Sequence, residues 1–151
     1  MLKDVFTDDL YEHMIGFNEY IPYPPCTDRN AWERIPDKYR ESYVKRAEEF
    51  LDYDFKPVTA SLCLKTGRTD DLTEFDKGRG EKHSVIYILV MAECFEDRGR
   101  FTKQIFNGIW SILDDAVWYR PWRTPMGRIY PSIMVDVTDS FIELAAVSYT
   151  H

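Results

Sequence analysis

Apolar residues recur at helical spacing through most of the middle of the chain. Pro36 suits the first turn of a helix. Beyond it Ile35, Tyr39, Tyr43, Ala47, Phe50 and Leu51 form one stripe, with Lys38, Arg40, Glu41, Lys45, Glu48 and Glu49 off it. A shorter helix is predicted from Pro57 to Thr66, closed by Gly67. The charged segment Arg68 to Glu81 holds Gly78 and Gly80 and reads as an exposed loop. From Lys82 to Asp97 the chain is apolar nearly all the way round. The β-branched density of Val85–Val90 would suit a buried strand. The length, and a polar tail ending at Gly99, favour a buried helix with a glycine cap. Phe101, Ile105, Ile109, Ile112, Leu113 and Ala116 make a second stripe, and Trp110 is expected in the core beside it. Gly108 inside that helix costs about 1 kcal/mol against Ala, which implies a close helix approach.

The two ends read differently. Residues 1–30 are an irregular lead-in, apart from a short helical candidate from Asp8 to Ile15. The prolines of Tyr20-Ile21-Pro22-Tyr23-Pro24-Pro25 exclude regular helix there. After Trp118 two prolines and a glycine turn Tyr119–Arg128 into a loop. Ser140-Phe141-Ile142-Glu143 has the spacing of a capping box ahead of Leu144, Ala145, Ala146 and Val147. The expected fold is all-α, a set of antiparallel helical hairpins over residues 31–151. Either these helices close on each other, or the chain is one piece of a larger helical assembly.

At 151 residues the chain can bury one hydrophobic core but not two independent ones. The content of 44% hydrophobic and 30% charged residues excludes a disordered chain. A net charge of −7 makes it a poor general binder of nucleic acid or anionic membrane. Cys26, Cys63 and Cys94 are too scattered for a disulfide framework or a metal knuckle, and Cys94 reads as a small core hydrophobe. No apolar leader follows Met1, and the longest apolar run, Val85–Ala92, is too short for a bilayer. A cytoplasmic location is expected if Met1 is native, a periplasmic or secreted one if the chain has been processed.

One stretch is both cationic and aromatic. Trp118, Tyr119, Trp122 and Tyr130 stand among Arg120, Arg123 and Arg128 with no acid between them. Rings stack on sugar faces and guanidinium forks pair with carboxylate or sulfate, so the stretch suits an acidic glycan. The plainer alternative makes Trp118 the end of the core and the arginines a solvated loop. Other polar residues promise less. His13 and His83 lack a metal-ligand partner one helical turn away and read as surface or capping residues. Asp114 and Asp115 point about 100° apart on a helix and read as a solvated face. Glu93, Glu96, Arg98 and Arg100 read as an ion-pair network that fixes a helix end. Asp70, Asp71 and Glu74 lack the spacing of a calcium loop. Ser84, Ser111 and Ser132 sit in no nucleophile motif, and Gly78-Arg79-Gly80 is no phosphate loop. Neither a metal nor a cofactor is expected.

The run Ala92-Glu93-Cys94-Phe95-Glu96-Asp97-Arg98-Gly99-Arg100-Phe101, continued by Ile105-Phe106-Asn107-Gly108-Ile109-Trp110, Trp118 and Pro121, resembles the heparinase II/III-like polysaccharide lyases. Arg29, Trp32, Ala47-Glu48 and Lys65-Thr66-Gly67-Arg68 fall in matching order upstream, and Val135-Asp136-Val137 with Ala145-Ala146 downstream. The resemblance spans residues 29–149 and implies the opening arc of an incomplete (α/α) toroid. Such lyases cleave uronic-acid-containing polysaccharides by β-elimination: the uronate carboxylate is neutralised, a Tyr or His removes the C5 proton, and an acid assists the leaving oxygen. The family's carboxylate-binding and base residues lie mostly in later toroid helices and a following β-sandwich. Where the family often has Pro-Ala-His, this chain has Pro121-Trp122-Arg123, so Arg123 replaces a family histidine. The resemblance thus implies a heparinase II/III-like fragment, not catalytic by itself, binding an acidic polysaccharide such as a glycosaminoglycan through Trp118, Arg120, Trp122, Arg123, Arg128 and Tyr130. Its expected partners are the remaining toroid helices and β-sandwich, or a second copy. A non-enzymatic carbohydrate- or protein-binding helical module is the alternative.

Overall fold

Asp28, Pro36 and Thr59 stand at three of the helix starts. The computed structural model describes residues 15–16, 19, 21–69 and 71–115. The expected helix near Asp8–Ile15 and the apolar segment 140–147 lie outside the described residues, Ile15 apart. The chain divides into two units, Met1–Ile35 and Pro36–His151. In the first, residues 21–25 form neither helix nor strand, as their prolines require. A short helix α1 (Arg29–Glu33) follows, and the Asp28 carboxylate caps it by accepting the Ala31 N–H at 3.1 Å. The buried Trp32 indole N–H donates to the Pro25 carbonyl at 3.0 Å, pinning the proline-rich stretch to that helix.

The second unit holds α2 (Asp37–Glu48), α3 (Ala60–Thr69), α4 (Thr73–Glu96) and α5 (Thr102–Leu113). No strand occurs among the described residues, so the molecule is all-α there and Val85–Val90 is helical. Helix α4 is the axis on which α2, α3 and α5 pack. Its buried Val85, Ile88, Leu89 and Ala92 meet Ala47 and Phe101, with Tyr43, Val44, Phe50, Tyr53, Phe55 and Ile105 around them. A smaller core joins Cys63 to Phe75. Helix α5 runs back along α4, with Gly108 opposite Ile86 and Asp115 opposite Lys82. The close approach expected at Gly108 is real: a Cβ there would stand 2.5 Å from Ile86 Cγ1 and 2.8 Å from Phe55 Cζ.

The turn between α4 and α5 is built by the charged residues of the motif. The Glu93 carboxylate accepts the backbone N–H groups of Gly99 and Phe101, which pins the start of α5. Arg100 pairs with Glu96 and reaches across to Glu48 on α2 at 2.8 Å. The left-handed residue that ends α4 is Asp97 (φ 55°), and Gly99 (φ 73°) takes a second left-handed conformation two residues on.

Several expectations are overturned. The segment Arg68–Glu81 is not a loop: α3 continues through Gly67 to Thr69, and α4 begins at Thr73. Phe75, Arg79 and Lys82 lie one turn apart and are all buried, and that tertiary packing outweighs the helix-breaking tendency of Gly78 and Gly80. Helix α3 starts at Ala60 and not at Pro57, since the Thr59 hydroxyl accepts the Leu62 N–H. Trp110 is 74% exposed and outside the core, because α5 turns Phe101, Gln104 and Gly108 inward. Tyr39 is likewise exposed, and Leu51 lies beyond the end of α2.

Candidate functional site

The linker between α2 and α3, residues 50–59, has almost no regular structure of its own, so its backbone groups need partners from elsewhere. Helix α5 supplies them from one face. Gln104 donates to the carbonyls of Phe50 at 3.3 Å and Tyr53 at 2.9 Å, and Asn107 steadies the Gln104 oxygen. Ser111 donates to the Phe55 carbonyl at 3.4 Å. Just past the helix end, the Asp115 carboxylate accepts the Val58 N–H at 3.0 Å. The linker is thereby held as one wall of an open cleft.

Asp115 is also the partner of Lys82, whose ammonium donates to both carboxylate oxygens at 3.0 and 2.8 Å. The two side chains are only 4% and 8% exposed. The expectation that Asp115 faces solvent is therefore wrong: a buried lysine needs a carboxylate, and this one lies directly opposite, two residues past the end of α5. Asp114, its neighbour, is exposed.

The cleft lies between this linker, α3 and α4, and has a volume of about 900 Å³. Tyr53, Asp54 and Lys56 come from the linker, Ser61 and Lys65 from α3, and Gly78, Arg79, Glu81 and Lys82 from α4. At the rim Lys65 pairs with Glu74, which raises the pKa of this exposed ammonium. Deeper in, Arg79 lies on the Phe75 ring, 5.5 Å from its centre. Nothing stands within 4 Å of where a Cβ at Gly78 would be, so the α4 backbone is open to the cleft there.

Tyr53 is the most instructive group. Burial pushes its hydroxyl pKa up first, and hydrogen bonding to the Glu81 carboxylate pushes it further, with Glu81 and Asp54 adding like-signed charge. A phenol so placed stays protonated and acts as a donor. Two neighbours of the ion pair also shift. Burial lowers the His83 pKa, helped by Arg79 and Lys82 and opposed by Asp115. Burial raises the Cys63 thiol, and the Asp115 charge adds to it. No cluster of His, Cys, Asp and Glu among the described residues has the arrangement of a metal site.

Trp118, Arg120, Trp122, Arg123, Arg128 and Tyr130, the residues favoured from sequence, lie outside the described residues. The residues that sequence reasoning missed are Tyr53, Lys56, Arg79, Glu81, Lys82 and Asp115. A signal for one of them was present. Gln104, Ser111 and Asp115 share a helical face with Phe101 and Gly108, and polar groups on the side that carries a close-approach glycine imply buried hydrogen bonding. Comparison with the profiles of known protein families and with curated proteins returned no match at a significant level.

Proposed function

We propose that the chain is an arc of an (α/α) toroid, related to the heparinase II/III-like polysaccharide lyases, that binds an acidic polysaccharide and does not cleave it by itself. The observation that carries this is the anchoring of Asp115. It is fixed to Lys82 and Val58, both cleft residues, and stands three residues before Trp118. Three residues of chain span at most about 11 Å, so the first residue of the cationic aromatic stretch lies within that reach of Asp115. In the cleft, Lys65 and Lys82 are each neutralised by a carboxylate, and Tyr53, Thr59 and Ser61 add hydroxyls to a lining that also holds Asp54, Lys56, Arg79 and Glu81. That lining suits sugar hydroxyls. The carboxylates or sulfates of the glycan fall to Arg120, Arg123 and Arg128.

The same chemistry argues against cleavage by this set of residues. Elimination needs a base beside a group that offsets the uronate charge. The tyrosine of the cleft has carboxylates for neighbours and a raised pKa, the reverse of what a proton-abstracting phenol requires. Retention of the full chain on immobilised heparan-type and alginate-type polysaccharides tests the proposal, with ultraviolet absorbance monitoring unsaturated products. Retention without a rising absorbance is expected, reduced several-fold by Arg120→Ala with Arg123→Ala. No retention would overturn glycan binding, and a rising absorbance would overturn the non-catalytic assignment.

A further inference from the structure

Helix α5 is apolar on two sides. One side carries Phe101 and Gly108 into the core, while on the other Phe106, Ile109, Trp110 and Leu113 are 66%, 43%, 74% and 60% exposed. These four stand at i, i+3, i+4 and i+7, so they form one continuous strip along the helix. An apolar strip containing a tryptophan and a phenylalanine marks an interaction surface. We propose that this strip seats the chain's own segment 140–147, docked as a helix. The proposal is independent of any glycan.

Three observations favour that occupant over a second copy. The segment has its own start signal in Ser140 and Glu143, and it carries Phe141, Leu144 and Ala145 at helical spacing. Its small Ala145 and Ala146 leave room for Trp110, the alternation of large and small that lets facing helices interdigitate. The strip is also too small for a stable dimer. Exposed side chains of this kind offer roughly 500 Å², against about 800 Å² per partner in a standard interface. Tethering resolves the competition. Twenty-four residues separate Asp115 from Ser140, and attachment within one chain holds a segment near millimolar effective concentration. A free second copy at micromolar concentration is outcompeted by a factor on the order of 10³.

Cysteine pairing in the full chain tests this. In a Cys26→Ser background, Ile109→Cys with Ala145→Cys is oxidised mildly and compared with Lys45→Cys plus Ala145→Cys, where Lys45 is exposed on α2. A monomeric product with a 109–145 linkage found by peptide mass spectrometry, several-fold above the control pair, is expected. Leu144→Asp added to the first pair should abolish the linkage while the circular dichroism of the described helices is retained. A linkage found in covalent dimers would show that a second copy occupies the strip and would overturn the proposal. Linkage no greater than in the control pair would overturn it too.

Discussion

Lys82 on α4 and Asp115 at the end of α5 are 33 positions apart in sequence and meet inside the protein, with Nζ 2.8 Å from Oδ2. Removing one partner leaves a buried charge uncompensated, so Lys82→Met should cost about 3–5 kcal/mol in urea unfolding. Asp115→Leu should cost as much, since it also frees the Val58 N–H. Lys82→Met combined with Asp115→Leu should recover much of the loss, because an apolar pair of similar volume often matches a buried ion pair. Additive losses in the double variant would show that the two side chains are not energetically coupled, and would overturn the ion pair as the source of the cost.

Two glycines on facing helices should respond in opposite directions. Gly108→Ala drives a methyl into Ile86 and Phe55 and should destabilise by about 1–3 kcal/mol, despite the better helix propensity of alanine. Gly78→Ala meets open space and should stabilise by about 0.5–1 kcal/mol. Thermal unfolding of the two variants measures both.

The Thr66 hydroxyl on α3 is buried without a hydrogen-bond partner. Thr66→Val keeps the shape and removes an unmet polar group, so a gain of about 1 kcal/mol is expected in the denaturation midpoint. A loss would show that the hydroxyl finds a partner in solution.

His83 has a pKa below its ordinary value, chiefly through burial and then through Arg79 and Lys82, with Asp115 opposing. The unfolded chain therefore binds a proton at this histidine at a higher pH than the folded one does. Stability from the neutral imidazole is present above about pH 6.5 and is lost as pH falls through the lowered folded value. His83→Gln should flatten that part of the stability profile measured between pH 7 and pH 5, and an unchanged slope would assign the effect to another group.

The helix over Val85–Ala92 and the contact at Gly108 were legible in the chain because both follow from local pattern. An apolar run bounded by a polar tail and a glycine within an apolar stripe each have few structural solutions. The start of α4 was not legible. Gly78, Gly80 and a dense set of charges look like a loop until Arg79 and Lys82 are seen to be buried, and only the distant Asp115 explains Lys82. Helix α5 misled in the other sense. Phe106, Ile109, Trp110 and Leu113 point outward while Gln104 is buried beside Phe101 and Gly108, so hydrophobicity alone places Trp110 wrongly in the core. The cleft was invisible for the same reason, since Tyr53 and Glu81 meet through tertiary packing that no spacing encodes.

The grip of α5 on residues 50–58 has an evolutionary consequence. Gln104, Ser111 and Asp115 hold main-chain atoms of that linker and none of its side chains. Substitutions at the held positions leave those bonds intact, save proline at Val58, which would remove the donated N–H. Phe50, Tyr53 and Phe55 also pack on the core, so freedom to vary falls to exposed linker positions such as Asp52, Asp54 and Lys56, and constraint to those rings and the three capturing side chains. A lineage could retune the linker's outward chemistry for a new ligand without rebuilding the scaffold beneath.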